Sequence, residues 1–133
     1  MAVGVALLDT SVVIALARGE LDATALSPAP DAVVVSAVTI ASLHQGVLVA
    51  SPATLAQRLH TLRFVEESCE VLPIDTRVAV HYGRVAADAR RLLGRRIALG
   101  DGLIAATAVT HDLMLYTRDS DLERLPGVRS LRV

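Results

Sequence analysis

The sequence has few of the side chains that several common functions require. It contains one cysteine, no lysine, no tryptophan and only three aromatic residues. Because Cys69 has no second thiol to pair with, an internal disulfide bond is excluded, and a reducing compartment such as the cytoplasm is expected. The aromatic residues, Phe64, Tyr82 and Tyr116, are too few for the row of stacking rings with which many proteins read single-stranded nucleic acid.

Histidines and hydroxyl residues are present, but not in the arrangements that zinc binding or nucleophilic catalysis requires. Thr10 and Ser11 form a hydroxyl pair with no evident base beside them, which argues against a serine-type nucleophile. The histidines match no compact zinc-binding spacing, so surface or helix-capping positions are expected for His60, His81 and His111. His44 is the exception, because it lies two residues from Ser42.

The chain is rich in apolar residues, but they do not form a long run. No stretch approaches the ~20 residues that a membrane-spanning helix needs, so no membrane association is expected. The apolar run 3–8 follows no basic segment and ends at Asp9, which predicts a buried strand rather than a signal peptide. An apolar fraction of 53% and a mean hydropathy of +0.51 predict spare apolar surface that a partner or a second copy covers.

Strand and helix signals alternate along the sequence, which predicts one α/β domain, residues 1–133, with a central, mostly parallel sheet. Strands are predicted at 3–8, 33–35, 71–74, 113–117 and 128–131. Helices are predicted at 11–18, 38–50, 76–93 and 101–111, with one more that begins at Pro52 and short helical pieces at 21–26 and 122–125. The helix at 101–111 is apolar nearly all round and should be buried.

Three aspartates stand at the ends of apolar segments, where an unpaired carboxylate is costly. Asp9 follows the first strand, Asp101 opens the buried helix, and Asp119 comes shortly after a later strand. In an open parallel sheet, ligands bind outside the carboxyl ends of the strands, near the point where the strand order reverses. A shared divalent cation would relieve the repulsion among the three acids, and carboxylate-bound metals usually act on phosphates. These aspartates are therefore the predicted catalytic and metal-binding residues.

A purely structural role for the same acids stays open. Asp9 and Asp101 suit helix caps, and Asp119 suits a turn. The hydroxyl groups of Thr10, Ser11 and Thr117 stand next to the acids and are expected to line the site, where they can bind a metal-bound water or a carboxylate. Ser11 also suits a helix cap.

Four segments, in their order and spacing, resemble the PIN-domain ribonucleases of the VapC toxin type. They are LDTSVVIAL at 8–16, SAVTIASLHQG at 36–46, GDGLIAATA at 100–108 and YTRDSDL at 116–122. Each segment alone is loose, whereas the four together span nearly the full length of the chain. The resemblance therefore rests on their combination.

This resemblance implies a PIN-like three-layer α/β/α sandwich and an endoribonuclease that depends on Mg²⁺ or Mn²⁺. It also implies the toxin of a type II toxin–antitoxin pair, a homodimer, and a small VapB-type antitoxin that wraps the toxin and covers the acidic cleft. Asp9, Asp101 and Asp119 match the family's metal-binding acids, and Asp121 matches an additional acid of some members.

Arginine is the only strongly basic residue: all 13 basic side chains belong to it. Arginine suits bidentate contacts with phosphate. Four arginines flank the Asp101 segment and are expected to hold an RNA strand beside the acids. A solvated helix face and pairing with an acidic antitoxin segment remain alternatives for these four: Arg90, Arg91, Arg95 and Arg96.

The sequence departs from the family pattern at one position. The second segment usually reads Ser-x-x-Thr-x-x-Glu-Leu-x-x-Gly, and its glutamate, which belongs to the metal site, is Ser42 here. Three explanations compete: a weaker but working metal site, an impaired domain that acts by binding alone, or an acid supplied from elsewhere. We favour the first, because the other three acids and their flanking segments are present.

Two rival functions stay open at this point. A phosphoacceptor domain of receiver type also collects acids at strand ends, but it needs paired acids early in the chain and a late lysine, which this chain lacks. The second rival is a degenerate PIN domain that dimerises and binds an antitoxin or RNA without cutting it, and Ser42 is its main support.

Overall fold

The computed structural model of the protein describes residues 3–133. Within this part of the chain, five parallel strands form one sheet: β1 (Val3–Leu8), β2 (Pro30–Ser36), β3 (Glu70–Leu72), β4 (Met114–Thr117) and β5 (Ser130–Arg132). The α-helices of the same residues are α1 (Thr10–Ala17), α2 (Ala37–Leu48), α3 (Leu55–Ser68), α4 (Thr76–Leu93) and α5 (Leu99–His111). Short 3₁₀ helices lie at Ala23–Ala25 and Ser120–Arg124.

Alternate residues of the strands enter two cores on opposite faces of the sheet, because successive side chains of a strand point to opposite sides. Leu8 and Tyr116 enter one core, where they meet side chains of α1 and α3. Leu7 and Leu115 enter the other core, where they meet side chains of α4 and α5. The protein is therefore the predicted three-layer α/β/α sandwich, and its sheet is parallel throughout.

The strand order, β3-β2-β1-β4-β5, reverses at β1. The chain runs outward from β1 to β2 and β3, and then returns to place β4 on the other side of β1. The parallel ladder pairs Leu8 with Tyr116, and the N–H of Asp9 donates to the Tyr116 carbonyl oxygen at 2.9 Å. The carboxyl ends of β1 and β4 therefore meet at the position where open α/β sheets bind ligands.

The helix α4 has the bounds that the sequence predicts, because both of its ends carry strong signals. A carboxylate oxygen of Asp75 accepts from the N–H of Val78 at 3.0 Å and caps the first turn. Gly94 ends the helix in the left-handed conformation, with φ at 68°. The bounds of β1 also agree with the prediction, and β3 and β5 are the edge strands of the sheet.

The predicted start of α3 at Pro52 is wrong. Residues 51–54 form a turn in which the N–H of Thr54 donates to the Ser51 carbonyl oxygen at 3.0 Å, and the helix begins at Leu55. The N–H of Leu55 also donates to the Ser51 carbonyl oxygen, at 3.0 Å, so the turn leads directly into the helix. The other helices start and end within two residues of the predicted positions.

The helix α5 is buried, as its nearly uniform apolar sequence predicts. Gly102 and the run 104–108 have almost no exposed surface. This helix packs beside α4 and positions Asp101 in its first turn. No helix within residues 3–133 combines the length and apolar character needed to cross a membrane.

Candidate active site

Asp9 lies where β1 passes into α1, and it is the N-cap of that helix. Its Oδ1 accepts from the backbone N–H of Thr10 at 2.9 Å, and the residue is only 6% exposed. Asp9 therefore has the helix-capping role that the purely structural interpretation of these acids predicts. Ser11 does not cap the helix: it lies exposed in the first turn of α1.

Thr117, the last residue of β4, joins Asp9 to Asp119. Its hydroxyl donates to Asp9 Oδ2 at 2.7 Å and accepts from the backbone N–H of Asp119 at 3.0 Å. Thr117 is fully buried, so these two partners fix the orientation of its hydroxyl. Both oxygens of Asp9 are thereby held, one by a helix start and one by a neighbouring strand.

Asp119 opens the 3₁₀ helix that follows β4. Its Oδ1 accepts from the backbone N–H of Asp121 at 2.9 Å, which is the local turn role that the sequence allowed. Asp101 differs from the other two acids, because the N-cap of α5 is Ala98. A capping role does not explain why a carboxylate stands half-buried at this position.

The three carboxylates lie close enough to repel one another. Burial raises the pKa of Asp9, hydrogen bonds from Thr117 and Thr10 offset part of that rise, and the charge of Asp119 adds to it. Burial also raises the pKa of Asp101, with further increases from the charges of Asp9 and Asp119. The structure thus brings together three acids that are far apart in sequence, and we call their meeting place the acidic crevice.

The chemistry of the acidic crevice suits a hard divalent cation, although its side chains do not form a closed cage. Within residues 3–133, no group of three or more histidine, cysteine or acidic side chains has the arrangement that holds an ion directly. Mg²⁺ is often bound through one or two carboxylates and keeps several of its waters, so a closed cage is not required. A bound dication would oppose the repulsion that helps to raise the two pKa values. On that ground the three acids fit such an ion.

Thr39, on α2, is the threonine of the second family segment, and it contacts the site although it was not among the predicted site residues. Its buried hydroxyl lies 2.8 Å from the hydroxyl of Thr10, and this contact fixes the start of α1 against α2. The available signal was a threonine on the otherwise apolar inner side of α2. The polar side chains around the site therefore come from α2 as well as from the ends of β1 and β4.

Ser42 is exposed one helical turn beyond Thr39, on the same side of α2. It lines a groove between α1, α2 and α3 with a volume of about 190 Å³. Arg18 and Arg58 also line this groove, and Arg58 donates to the carbonyl oxygen of Gly46 at 2.6 Å. The charged side chains in the Ser42 groove are therefore arginines, and the expectation that Ser42 lines the metal site stays a prediction.

The four arginines predicted to hold RNA fall into two pairs. Arg91 forms an ion pair with the buried Asp88, and Arg95 forms one with Asp121. Asp121, which the resemblance offered as an additional metal ligand, thus has an arginine as its partner in this structure. The two remaining arginines instead line a small pocket beside the start of α5: Arg90 and Arg96.

The four histidines differ in exposure within the described chain. His44 and His60 are exposed, and His81 is half-buried on α4. His111 lies in the last turn of α5, where a positive charge is favoured. No histidine belongs to a metal-binding group within residues 3–133.

Comparison with known proteins finds one family and a consistent set of relatives. The family model of the PIN domain matches residues 6–128. Ribonuclease VapC5 of Mycobacterium tuberculosis is 39% identical over 128 residues, which cover 95% of this chain and 91% of the relative. Ribonuclease VapC4 of the same organism is 35% identical over 134 residues, with 96% of each chain covered.

Solved structures of similar fold include toxin–antitoxin proteins. VapBC-5 from Mycobacterium tuberculosis, a member of the VapBC family of toxin–antitoxin systems, matches with a TM-score of 0.75 and 35% identity over 97% of both chains. VapBC2 from Rickettsia felis, crystallised with a DNA fragment from its promoter, matches with a TM-score of 0.79 over 96% of this chain and 98% of that one. At 19% identity, this second likeness shows the shared fold alone.

Proposed function

The chain belongs to the PIN-domain family, in its VapC ribonuclease group, and we propose that it is a metal-dependent endoribonuclease, the toxin of a toxin–antitoxin pair. The observation that carries this proposal is the acidic crevice, where three aspartates repel one another at the carboxyl ends of β1 and β4. Membership of this family also excludes the receiver-type alternative.

We assign Asp9, Asp101 and Asp119 as the residues that hold a Mg²⁺ or Mn²⁺ ion. Such an ion would polarise a phosphoryl oxygen and would lower the pKa of a water bound to it. Asp101 has no capping duty, so its carboxylate is the freest of the three to orient a water for attack on the phosphodiester. Thr117 keeps Asp9 in position through its hydrogen bond.

Ser42 lowers the number of carboxylates that the site can offer. With a neutral side chain at this position, metal affinity is expected to fall below that of a four-acid site. Activity is nevertheless expected to persist, because Mg²⁺ sites commonly use only one or two protein carboxylates. The opposing proposal, a domain that binds RNA or an antitoxin without cutting, predicts no turnover at any metal concentration.

A VapB-type antitoxin is the proposed protein partner, because the structural relatives include a VapBC toxin–antitoxin protein. Apolar side chains on the surface give such a partner, or a second copy in a homodimer, an area to bury. Leu48 is 84% exposed and Val49 is 69% exposed at the end of α2, and Leu99 is 62% exposed at the start of α5. The single free cysteine fits action in a reducing cytoplasm.

The decisive experiment pairs RNA cleavage with metal titration on the full chain. The wild type should cleave single-stranded RNA with Mg²⁺ or Mn²⁺ and lose that activity in EDTA. Asp9→Asn should abolish cleavage, whereas Asp31→Asn, an exposed aspartate of β2, should leave it unchanged. Metal binding seen by calorimetry without any cleavage would favour the binding-only domain, and cleavage that survives Asp9→Asn would reject the assigned site.

A further inference from the structure

Beside the start of α5, a pocket of about 200 Å³ brings together an aromatic ring and two arginines. Its lining comprises Tyr82, Ala86 and Arg90 from α4, and Arg96 and Ile97 from the segment before α5. Sites for drug-sized molecules usually measure ~300–1,000 Å³. A pocket of this size therefore suits one planar group rather than a whole large ligand.

A glycine holds the ring of Tyr82 against the first turn of α5. A Cβ at Gly102 would lie 2.7 Å from Tyr82 Cε1 and 3.2 Å from Ile97 Cδ1, so a larger residue would displace the ring. Gly102 directly follows Asp101, which places the ring one residue along α5 from an acid of the crevice. Tyr82 is half-buried, so part of its ring stays accessible.

The arginines of this region differ in what already neutralises them. Arg91 and Arg95 are committed to ion pairs with Asp88 and Asp121. The two arginines of the pocket take part in none of the ion pairs formed among residues 3–133, and both are exposed: Arg90 and Arg96. The pocket therefore offers two guanidinium groups to an anion from outside.

We propose that Tyr82, Arg90 and Arg96 form a subsite for one nucleotide of a single-stranded RNA substrate. The base stacks on the Tyr82 ring, and the flanking phosphates pair with the two arginines. This inference rests on the proposed function and deepens it, because it names residues packed near the first turn of α5, the turn that carries Asp101, as the ones that hold the strand. An acidic peptide could use the arginines, but the ring would add nothing to its recognition, so the pocket favours RNA.

The test measures binding of a fluorescently labelled single-stranded RNA to the full chain by anisotropy, in EDTA so that no cleavage occurs. Tyr82→Leu should raise the Kd by about fivefold to 100-fold, since it removes the stacking contact with one base. Tyr82→Phe should stay within about twofold of the wild type, because the ring is kept. Thermal melting of both variants shows whether each is folded.

The arginines are tested by salt dependence and by a matched control. Arg90→Ala and Arg96→Ala should each reduce the slope of log Kd against log salt by about 0.7, the value for one lost phosphate contact with a single strand. Arg63→Ala removes an exposed arginine from α3, in the opposite layer of the sandwich, and should leave both affinity and slope nearly unchanged.

Two outcomes would overturn the subsite. One is wild-type RNA affinity in a folded Tyr82→Leu variant. The other is loss of binding to a poly-glutamate peptide, with RNA binding intact, in the Arg90→Ala and Arg96→Ala variants. The nuclease proposal fails separately: a wild type that binds RNA through Tyr82 but never cleaves it would refute the activity and keep the subsite.

Discussion

The hydroxyl of Thr117 donates a hydrogen bond of 2.7 Å to the carboxylate of Asp9, across 108 residues of sequence. The same hydroxyl accepts from the backbone N–H of Asp119. One buried side chain therefore sets the relative positions of two of the three acids. The contact also joins the carboxyl ends of β1 and β4, so the fold and the site depend on the same group.

Thr117→Val should harm both stability and activity. The substitution leaves an oxygen of Asp9 and the N–H of Asp119 without their partner, which should cost about 1–3 kcal/mol of unfolding free energy. Displaced acids should also slow RNA cleavage by up to about 100-fold. Urea denaturation and a cleavage assay measure the two effects. Thr117→Ser keeps the hydroxyl and should recover most of both, and an equal loss in the serine variant would contradict this role.

Asp101→Asn should stabilise the metal-free protein at neutral pH. The pKa of Asp101 is raised from 3.8, so the folded protein binds this proton more strongly than the unfolded chain does. The associated stability is present below pH 3.8 and is lost as pH rises through the raised pKa. The gain in Tm from the substitution should therefore be largest at neutral pH and vanish on acidification to pH 3.8, as calorimetry in EDTA would show.

Added Mg²⁺ should make the Tm of the wild type higher than that of Asp101→Asn, the reverse of the order expected in EDTA. Mg²⁺ should raise the Tm of the wild type more than that of Asp101→Asn, because the substitution removes a ligand. Asp31→Asn serves as the control at an exposed carboxylate. An Asp101→Asn variant that gains as much from Mg²⁺ as the wild type does would show that Asp101 lies outside the metal site.

Ser42→Glu should tighten Mg²⁺ binding and raise the rate of RNA cleavage. The substitution restores the carboxylate of the family pattern on the side of α2 that carries Thr39. Ala41→Glu adds the same charge at an exposed neighbouring position of this helix and should change neither quantity. Calorimetry and a cleavage assay decide the outcome, and an inert Ser42→Glu would show that residue 42 is not directed at the site.

Gly102→Ala should destabilise the protein by about 1–3 kcal/mol through overpacking. Its added methyl would lie 2.7 Å from the Tyr82 ring. Gly100→Ala is the matched control two residues earlier in the same helix, since its methyl would meet only Val38 Cγ1, at 3.3 Å. Chemical denaturation should show the larger loss for Gly102→Ala. Equal losses would mean that the ring moves aside at little cost.

Local sequence patterns were sufficient for the elements that carry strong end signals. β1 is a pure apolar run that ends at Asp9, and α4 begins after Asp75 and ends before Gly94, so the bounds of both were predictable. Proline at position 52 suits a helix start equally well, but the turn at 51–54 replaces it. Local propensity could not reveal that competition.

The site was predictable as a set of acids, but its neighbours were not. Asp9, Asp101 and Asp119 could be chosen because each ends or opens an apolar segment. The pairing of Arg95 with Asp121 depends on how the segment before α5 packs near the 3₁₀ helix that follows β4. Such tertiary contacts leave no periodic signal in the sequence, and the pocket of Tyr82 arises in the same way.

The most direct test of the shared metal site is anomalous diffraction from a crystal soaked in Mn²⁺. The account predicts a peak in the acidic crevice within roughly 2–2.5 Å of carboxylate oxygens from at least two of Asp9, Asp101 and Asp119. The same soak of Asp9→Asn crystals should weaken or remove that peak. Manganese found only at other positions, with the three carboxylates unligated, would contradict the central claim.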